Sequence, residues 1–394
     1  MEIPVSRINK VNITRVLRTI WLEEGISRVA LADALGLNKS TVSNIVHKLE
    51  SLGIVEPMSI GSAGPSGGRR PIHLRIKPDW GCVMGIEIQT EAFTVLGVNL
   101  KGELCFSFSE PIDVRKKGLL CTATSIIRRF SRELERKGKS LMGIGIGLPG
   151  FVNPAKGILQ ASLPLRIFEP LHLASKAARL LGVNIPILID NDANCGCWGE
   201  LTSTSTGKPD DFLFALGEFR KHTVEMDDTR IMALGFGFVL NGSVHHGAGF
   251  SAGEYRSIYF SPEHTNQLSL SDDEAKLFLK DQEVNRKVID ELSRHIAFLV
   301  HILNLKKVII GGPIEVLSKD ISEVLQCRLQ ESWQYPDTPV CEIRSSQMGE
   351  LAVAYGAARM FLEHLITVPA LTSLPDTPPC GADLLVYLES VQRT

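Results

Sequence analysis

The 394-residue chain has no stretch approaching the roughly 18 uninterrupted apolar residues that a membrane span needs, and its N-terminus lacks an apolar signal-peptide core. It contains no low-complexity tract and no solenoid repeat. Its eight cysteines, at 82, 105, 121, 195, 197, 327, 341 and 380, form no disulfide framework of a secreted domain. They fit buried thiols in a reducing cytoplasm, with no membrane partner. A net charge of −2 excludes a general nucleic-acid coat, so any DNA contact must be local. What is present is a 44% hydrophobic chain, long enough to bury a large core in two or three domains.

The first of these domains is legible from spacing. Val11 to Glu24 places Ile13, Val16, Leu17, Ile20 and Trp21 on one helical stripe, and Gly25 stops it. Ser27 can cap a second helix holding Leu31, Ala32 and Leu35, with Gly36 supplying the tight turn that follows. Asn38 can cap a third, in which Val42, Ile45, Val46, Leu49 and Leu52 face inward. That leaves Lys39, Ser40, Thr41, Ser43, Asn44 and His47 outward, short or polar side chains suited to a major-groove floor and its phosphates. A strand begins at Ile54 and Val55. A loop rich in Gly, Pro and Ser runs from Pro57 to Gly68, and Ile72, Leu74 and Ile76 alternate along a return strand. Arg69 and Arg70 stand at the wing, within reach of a phosphate or a minor groove. The order is that of a winged helix–turn–helix. A small protein-binding helical domain with solvated arginines is the other reading. Charge favours the first: residues 1–79 hold 11 Lys+Arg against 7 Asp+Glu, a net of +4, and the remainder is net −6.

After a linker at Lys77-Pro78-Asp79, strands are expected at 82–89, 92–100 and 103–109, a helix from Gly118 to Lys137 and a strand from Leu141 to Gly147. Helix 169–181, strand Pro186 to Ile189 and the loop Asp190 to Asn194 follow. A second lobe opens with strand 211–217 and a hairpin at Asn241-Gly242. Helix 283–304, strand Val308 to Ile310 and helix 349–364 complete the pattern. Strand triplets followed by alternating helices and strands, twice over, imply a two-lobed α/β body with a cleft.

The body resembles the ROK family (repressors, open reading frames and kinases). The motifs are Gly143 to Gly150, Asn191-Asp192-Ala193-Asn194 with Gly199-Glu200, Gly247-Ala248-Gly249 with Ala252-Gly253-Glu254, Ile309 to Gly312, and Gly349 to Ala357. The resemblance implies an α/β fold in which a winged helix–turn–helix precedes a two-lobed, actin-like, sugar-kinase-like body. It divides the chain into a DNA-binding head at 1–79, a first lobe at 80–190 completed by helix 349–364, a second lobe at 191–348 and a tail at 365–394.

The departures from the family's kinases point away from catalysis. Where they carry Asp-x-Gly-x-Thr, this chain reads Glu87-Ile88-Gln89-Thr90-Glu91; Gln89 fills the glycine space and Glu91 adds negative charge. The Gly-Thr-Gly loop corresponds to Gly235-Phe236-Gly237. ATP binding is therefore expected to be lost, leaving no catalytic residue and no cofactor. The family's zinc site is missing as well: Ser257 falls near its His position, and no cysteine lies between Cys197 and Cys327, so no metal is expected. His245, His246 and His264 read as hairpin and loop surface.

The sugar side of the cleft is partly kept. Asp192 matches the kinases' general base and, without ATP, can accept hydrogen bonds from two hydroxyls. Asn191 offers a donor and an acceptor, Glu254 matches another sugar-contacting carboxylate, and Ser162 stands about where the family has asparagine. Asp192 can equally be a helix N-cap, and Glu254 a helix-start residue. The implied function is a DNA-binding regulator, a repressor of carbohydrate-related genes that binds double-stranded operator DNA as a homodimer or dimer of dimers and answers to a sugar-type effector. The alternative is a ROK-type carbohydrate kinase with a regulatory DNA-binding head.

Overall fold

The computed structural model describes residues 5–60, 72–182, 185–201, 210–221, 230–336 and 340–367. The head comprises α1 (Val5–Leu22), β1 (Ile26–Ser27), α2 (Arg28–Leu35), α3 (Lys39–Ser51), β2 (Val55–Ile60) and β3 (Ile72–Ile76), the strands ordered β1-β3-β2. Helix α1 ends short of Glu24 because the Gly25 N–H is taken by the Leu74 carbonyl, which draws the chain into the sheet. Ser27 caps α2 through the Ala30 N–H, and Gly36, at φ +64°, makes the left-handed turn into α3. Asn38 occupies the cap position of α3, yet its side chain makes no cap hydrogen bond. Val42, Ile45, Val46 and Leu49 are buried as spaced; Leu52 is only partly so and ends the helix.

The first lobe follows as β4 (Cys82–Ile88), β5 (Ala92–Asn99), β6 (Leu104–Pro111), α4 (Val114–Lys117), α5 (Leu119–Arg136), β7 (Leu141–Leu148), β8 (Phe151–Asn153), β9 (Ile158–Ala161), α6 (Leu173–Leu181) and β10 (Ile187–Asn191). Its sheet runs β10-β7-β4-β5-β6, antiparallel through β4, β5 and β6 and parallel through β4, β7 and β10. Helix α6 starts four residues later than its periodicity suggests, because Leu171 is drawn into a bridge with Leu159. Helix α7 (Asp192–Glu200) then leads to the second lobe: β11 (Phe212–Lys221), β12 (Arg230–Leu240), β13 (Ser243–Val244), α8 (Asp272–Leu277), α9 (Gln282–Leu303), β14 (Lys307–Gly311), α10 (Ser318–Glu331) and β15 (Glu342–Ser345). That sheet, β13-β12-β11-β14-β15, repeats the antiparallel-then-parallel plan of the first.

The last described helix, α11 (Ala352–Ile366), returns to the first sheet. It lies so close that a Cβ at Gly145 would stand 1.9 Å from the Ala357 carbonyl oxygen, and one at Gly143 would stand 1.8 Å from the Phe361 ring. The glycine-rich run 143–147 is thus a groove for a helix. On its other side, a Cβ at Gly356 would sit 1.6 Å from the Cys195 carbonyl of α7. Leu365 and Ile366 are buried, so the chain leaves the core only after them, two residues beyond the expected start of the tail. The apolar segment at Leu384 to Val391 lies outside the described residues.

Head and body share one apolar core, in which Ile13, Val16 and Leu17 continue into Ala354, Ala358, Phe361 and Leu362. Polar contacts seal the junction. Trp21 Nε1 donates to the Leu100 carbonyl at 2.6 Å, Trp80 Nε1 to the Leu52 carbonyl at 2.8 Å, and Lys101 pairs with Glu24 at 2.7 Å. The linker expected at 77–79 is accordingly a docked 3-10 turn, Pro78–Trp80. Because the helix backbone cannot retreat from the sheet, Gly145→Ala is expected to cost about 1–3 kcal/mol, read as a lower urea midpoint at unchanged slope.

Candidate functional site

Two surfaces hold the residues singled out by sequence. On α3, Lys39, Ser40, Ser43, Asn44 and His47 are exposed and Thr41 is half-buried, while the opposite face packs on α1 and α2. An Arg28–Glu50 ion pair at 2.6 Å fastens α2 to α3. The helix therefore presents donors and acceptors of short reach on a rigid support, which is what contact with base edges requires. Arg69 and Arg70 lie outside the described residues.

The second surface is a cavity of about 620 Å³ between the two sheets. It gathers all four expected cleft residues, Ser162, Asn191, Asp192 and Glu254, with Glu218 and Gln267. Their individual settings differ from expectation. Asn191, not Asp192, is the N-cap of α7: its Oδ1 accepts from the Ala193 and Asn194 N–H groups, and its Nδ2 donates to the Gly150 carbonyl at 3.1 Å. That leaves little of its amide for a ligand. Asp192 is the first helical residue, 5% exposed, its carboxylate at the positive end of α7 and bonded to the Ala193 N–H. Ser162 is buried and its Oγ accepts from the Leu165 N–H, 3.3 Å. Glu254 is exposed and begins no helix; it forms an isolated bridge with Gly235.

The floor of the cleft shows what the sequence left hidden. Gly235-Phe236-Gly237 lies within β12, paired with Leu216, Ala215 and Phe214, so it is strand and not a phosphate-binding turn. Phe236 is buried against Tyr255, ring centroids 4.9 Å apart. The group facing the β4–β5 turn is instead Glu218 of β11. Gln89 Nε2 donates to Glu87 Oε1 and to Glu218 Oε1, each at 2.6 Å, and so ties one lobe to the other. Glu87 and Glu218 are only 5% and 2% exposed. Burial, and then the charge of Glu218, push the Glu87 carboxyl well above the ordinary carboxylate range, so Glu87 keeps its proton. A nucleotide phosphate here would meet acidic side chains and an amide already spent. Glu218 carries no motif, and only the pairing of β11 with its neighbours brings it to this place.

Behind the cavity, Asp190 is fully buried and accepts from the Asn191 N–H, Asn194 Nδ2, Trp198 Nε1 and His246 Nε2, the last at 2.8 Å. His246, read from sequence as hairpin surface, is therefore half-buried and anchored. Burial lowers its pKa, but the hydrogen bond and charge of Asp190 outweigh that and leave it raised. Cys195 and Cys197 are buried thiols held protonated by desolvation and by the Asp190 charge. Among the described residues no group of three or more His, Cys, Asp or Glu is placed to hold a metal ion. Glu200 accepts from Arg344 and Ser346, each at 2.7 Å, a brace between α7 and β15 rather than a ligand contact.

Residues 84–267 match the ROK family and residues 12–58 match the MarR family. The chain belongs to the ROK family. Among curated ROK-like relatives, the xylose repressor of Caldicellulosiruptor bescii is 29% identical over 250 residues, covering 63% of this chain and 58% of that protein. The xylose repressor of Bacillus subtilis is 26% identical over 252 residues, covering 63% and 60%. The chain thus spans under two thirds of the length of these relatives. A solved ROK family transcriptional regulator, a homologue of the E. coli MLC protein, superposes with a TM-score of 0.70 at 19% identity, over 97% of this chain and 100% of that one. The likeness extends the shared fold across head and body together.

The proton on Glu87 has a stability signature. In the unfolded chain Glu87 titrates in the ordinary range, whereas the folded chain holds the proton to higher pH. Its contribution is therefore full below the ordinary range and is lost as pH rises through the folded value. Glu87→Gln is expected to flatten the fall of Tm on the alkaline side of that range. A calorimetric Tm–pH profile identical to that of the unaltered protein would refute the assignment.

Proposed function

We propose that this ROK chain is a DNA-binding transcriptional repressor of carbohydrate-related genes, controlled by a sugar-type effector in the interlobe cleft. The single observation that carries the reading is the pairing of an exposed polar recognition helix with a body whose phosphate-facing floor is filled by Gln89 between two buried carboxylates. The chain is not an enzyme on this reading, and it uses no cofactor or metal. The names of the relatives support the repressor assignment and make a pentose such as xylose the first effector to try. No described helix is long and apolar enough to cross a membrane, and the protein acts in the cytoplasm.

The division of labour follows the two surfaces. Residues 1–79 bind operator DNA through Lys39, Ser40, Thr41, Ser43, Asn44 and His47, with Arg69 and Arg70 reaching the flanking backbone or minor groove. Residues 80–190 with α11, and residues 191–348, form the lobes that hold the effector through Asp192 and Glu254, with Asn191 and Ser162 shaping the wall. A homodimer or dimer of dimers places two recognition helices about 34 Å apart on successive major grooves. An effector that binds one closure state better than the other shifts the population and with it the operator affinity.

Two measurements test this. Fluorescence anisotropy on the chain's own promoter region is expected to show Asn44→Ala losing about 1–3 kcal/mol and sequence preference, and Lys39→Ala weakening all sequences alike with a salt slope reduced by about 1. Equal affinity of the unaltered protein for promoter and random DNA sinks the reading. ADP release across a sugar panel is expected to stay at background; sugar-dependent turnover abolished by Asp192→Asn favours a kinase with a regulatory head instead.

A further inference from the structure

The acceptor-rich wall of the cleft has an unusual support. Asp192, Glu218 and Glu254 border the cavity, and Glu87 stands behind Glu218 on the same amide. Gln89 spends its side-chain N–H on the two buried carboxylates and so fixes Glu218 in place from the opposite lobe. A carboxylate held this way can still accept from a hydroxyl through its remaining lone pairs. A phosphate or carboxylate brought to it adds like charge in a space that water does not screen.

Other charged groups face the same space. Arg115 and Arg256 border the cavity; Arg115 Nε donates to the Pro164 carbonyl at 3.0 Å, and the Arg256 guanidinium lies 4.1 Å over the Phe260 ring. Glu218 and Glu87 are joined by Gln89 and not by either arginine in these bonds, so the floor stays acidic while the rim carries the cations. An anionic ligand is thus favoured at the rim and opposed at the floor, and a phosphate ester is the probe that decides between them.

We propose that the Gln89 bridge makes Glu218 the specificity-determining acceptor of the cleft, so that the cavity takes a neutral polyhydroxy ligand and turns away its phosphate ester. Gln89 acts as a positioning residue and Glu218 as the contact. The inference rests on the cleft being the effector site. It reaches further by separating a free sugar from a phosphorylated one.

Isothermal titration calorimetry on the full-length protein, with D-xylose and D-glucose against D-xylose 5-phosphate and D-glucose 6-phosphate, tests it over a range of pH. A neutral sugar is expected to bind, and its ester to bind at least about 30-fold more weakly, as a site built on hydrogen bonding to hydroxyls discriminates. Glu218→Gln, which keeps shape and removes charge, is expected to cut that discrimination to about threefold or less. Gln89→Leu is expected to weaken the neutral sugar about tenfold and to move the pH at which affinity changes, because the proton held between Glu87 and Glu218 loses its amide partner. An ester that binds as tightly as its sugar overturns the inference and leaves the effector reading standing. Failure of every sugar and every ester to bind overturns both. Unchanged affinity and an unchanged pH profile in Gln89→Leu overturn the role of the bridge.

Discussion

The contact between α11 and the first sheet is the constraint on which the rest is built. Gly143 and Gly145 have no side chains because a helix backbone occupies the space, and Ala357 and Gly356 let that helix touch strand and α7 at once. Three assemblies are located by this one element. The sheet gains its covering layer, α7 is held where Asp192 enters the cleft, and the head packs its apolar core on the helix's outer residues. Interiors this dense transmit displacement instead of absorbing it. Arg18 reaches both Glu363 and the Ile366 carbonyl, so the end of α11 is also bound to the head.

The cleft is organised by a second principle, the cost of burying carboxylates. Asp190, Glu87 and Glu218 are all nearly inaccessible, and each is tied to donors: four for Asp190, and the shared Gln89 amide for the glutamates. Breaking one partner leaves a buried charge without compensation, so these side chains hold one arrangement of the two lobes. A phosphate-binding floor needs the opposite, open N–H groups and small residues. The same strand ends therefore support one chemistry or the other, and here they support carboxylate and amide.

How much of this was legible in the sequence follows the range of the interactions. The helices of the head were readable because their burial repeats every three to four residues and Ser27 and Gly36 are local signals. The glycine run at 143–147 was visible, but its reason lies some 200 residues away in α11. The N-cap fell one residue early of expectation, on Asn191 and not Asp192, a choice made by the Gly150 carbonyl that holds its amide. His246 and Glu218 had no motif at all. Asp190 reaches the first across 56 positions and Gln89 the second across 129, and periodicity is silent at such separations. Gly235-Phe236-Gly237 misled for the complementary reason: a short pattern matched where the strand pairing puts no turn.

The position of α11 in the chain has a consequence for how the protein is made. Strands β4 to β7 are synthesised early, yet the helix that fills their glycine groove is the last described element, more than 200 residues behind Leu148. At about 5–20 residues per second the first sheet waits on the order of ten to forty seconds with one apolar face uncovered. The head, whose core leans on the same helix, waits with it. The nascent chain must therefore carry an unfinished layer past the whole second lobe before either end can close, and its passage through that interval is a matter of timing as much as of stability.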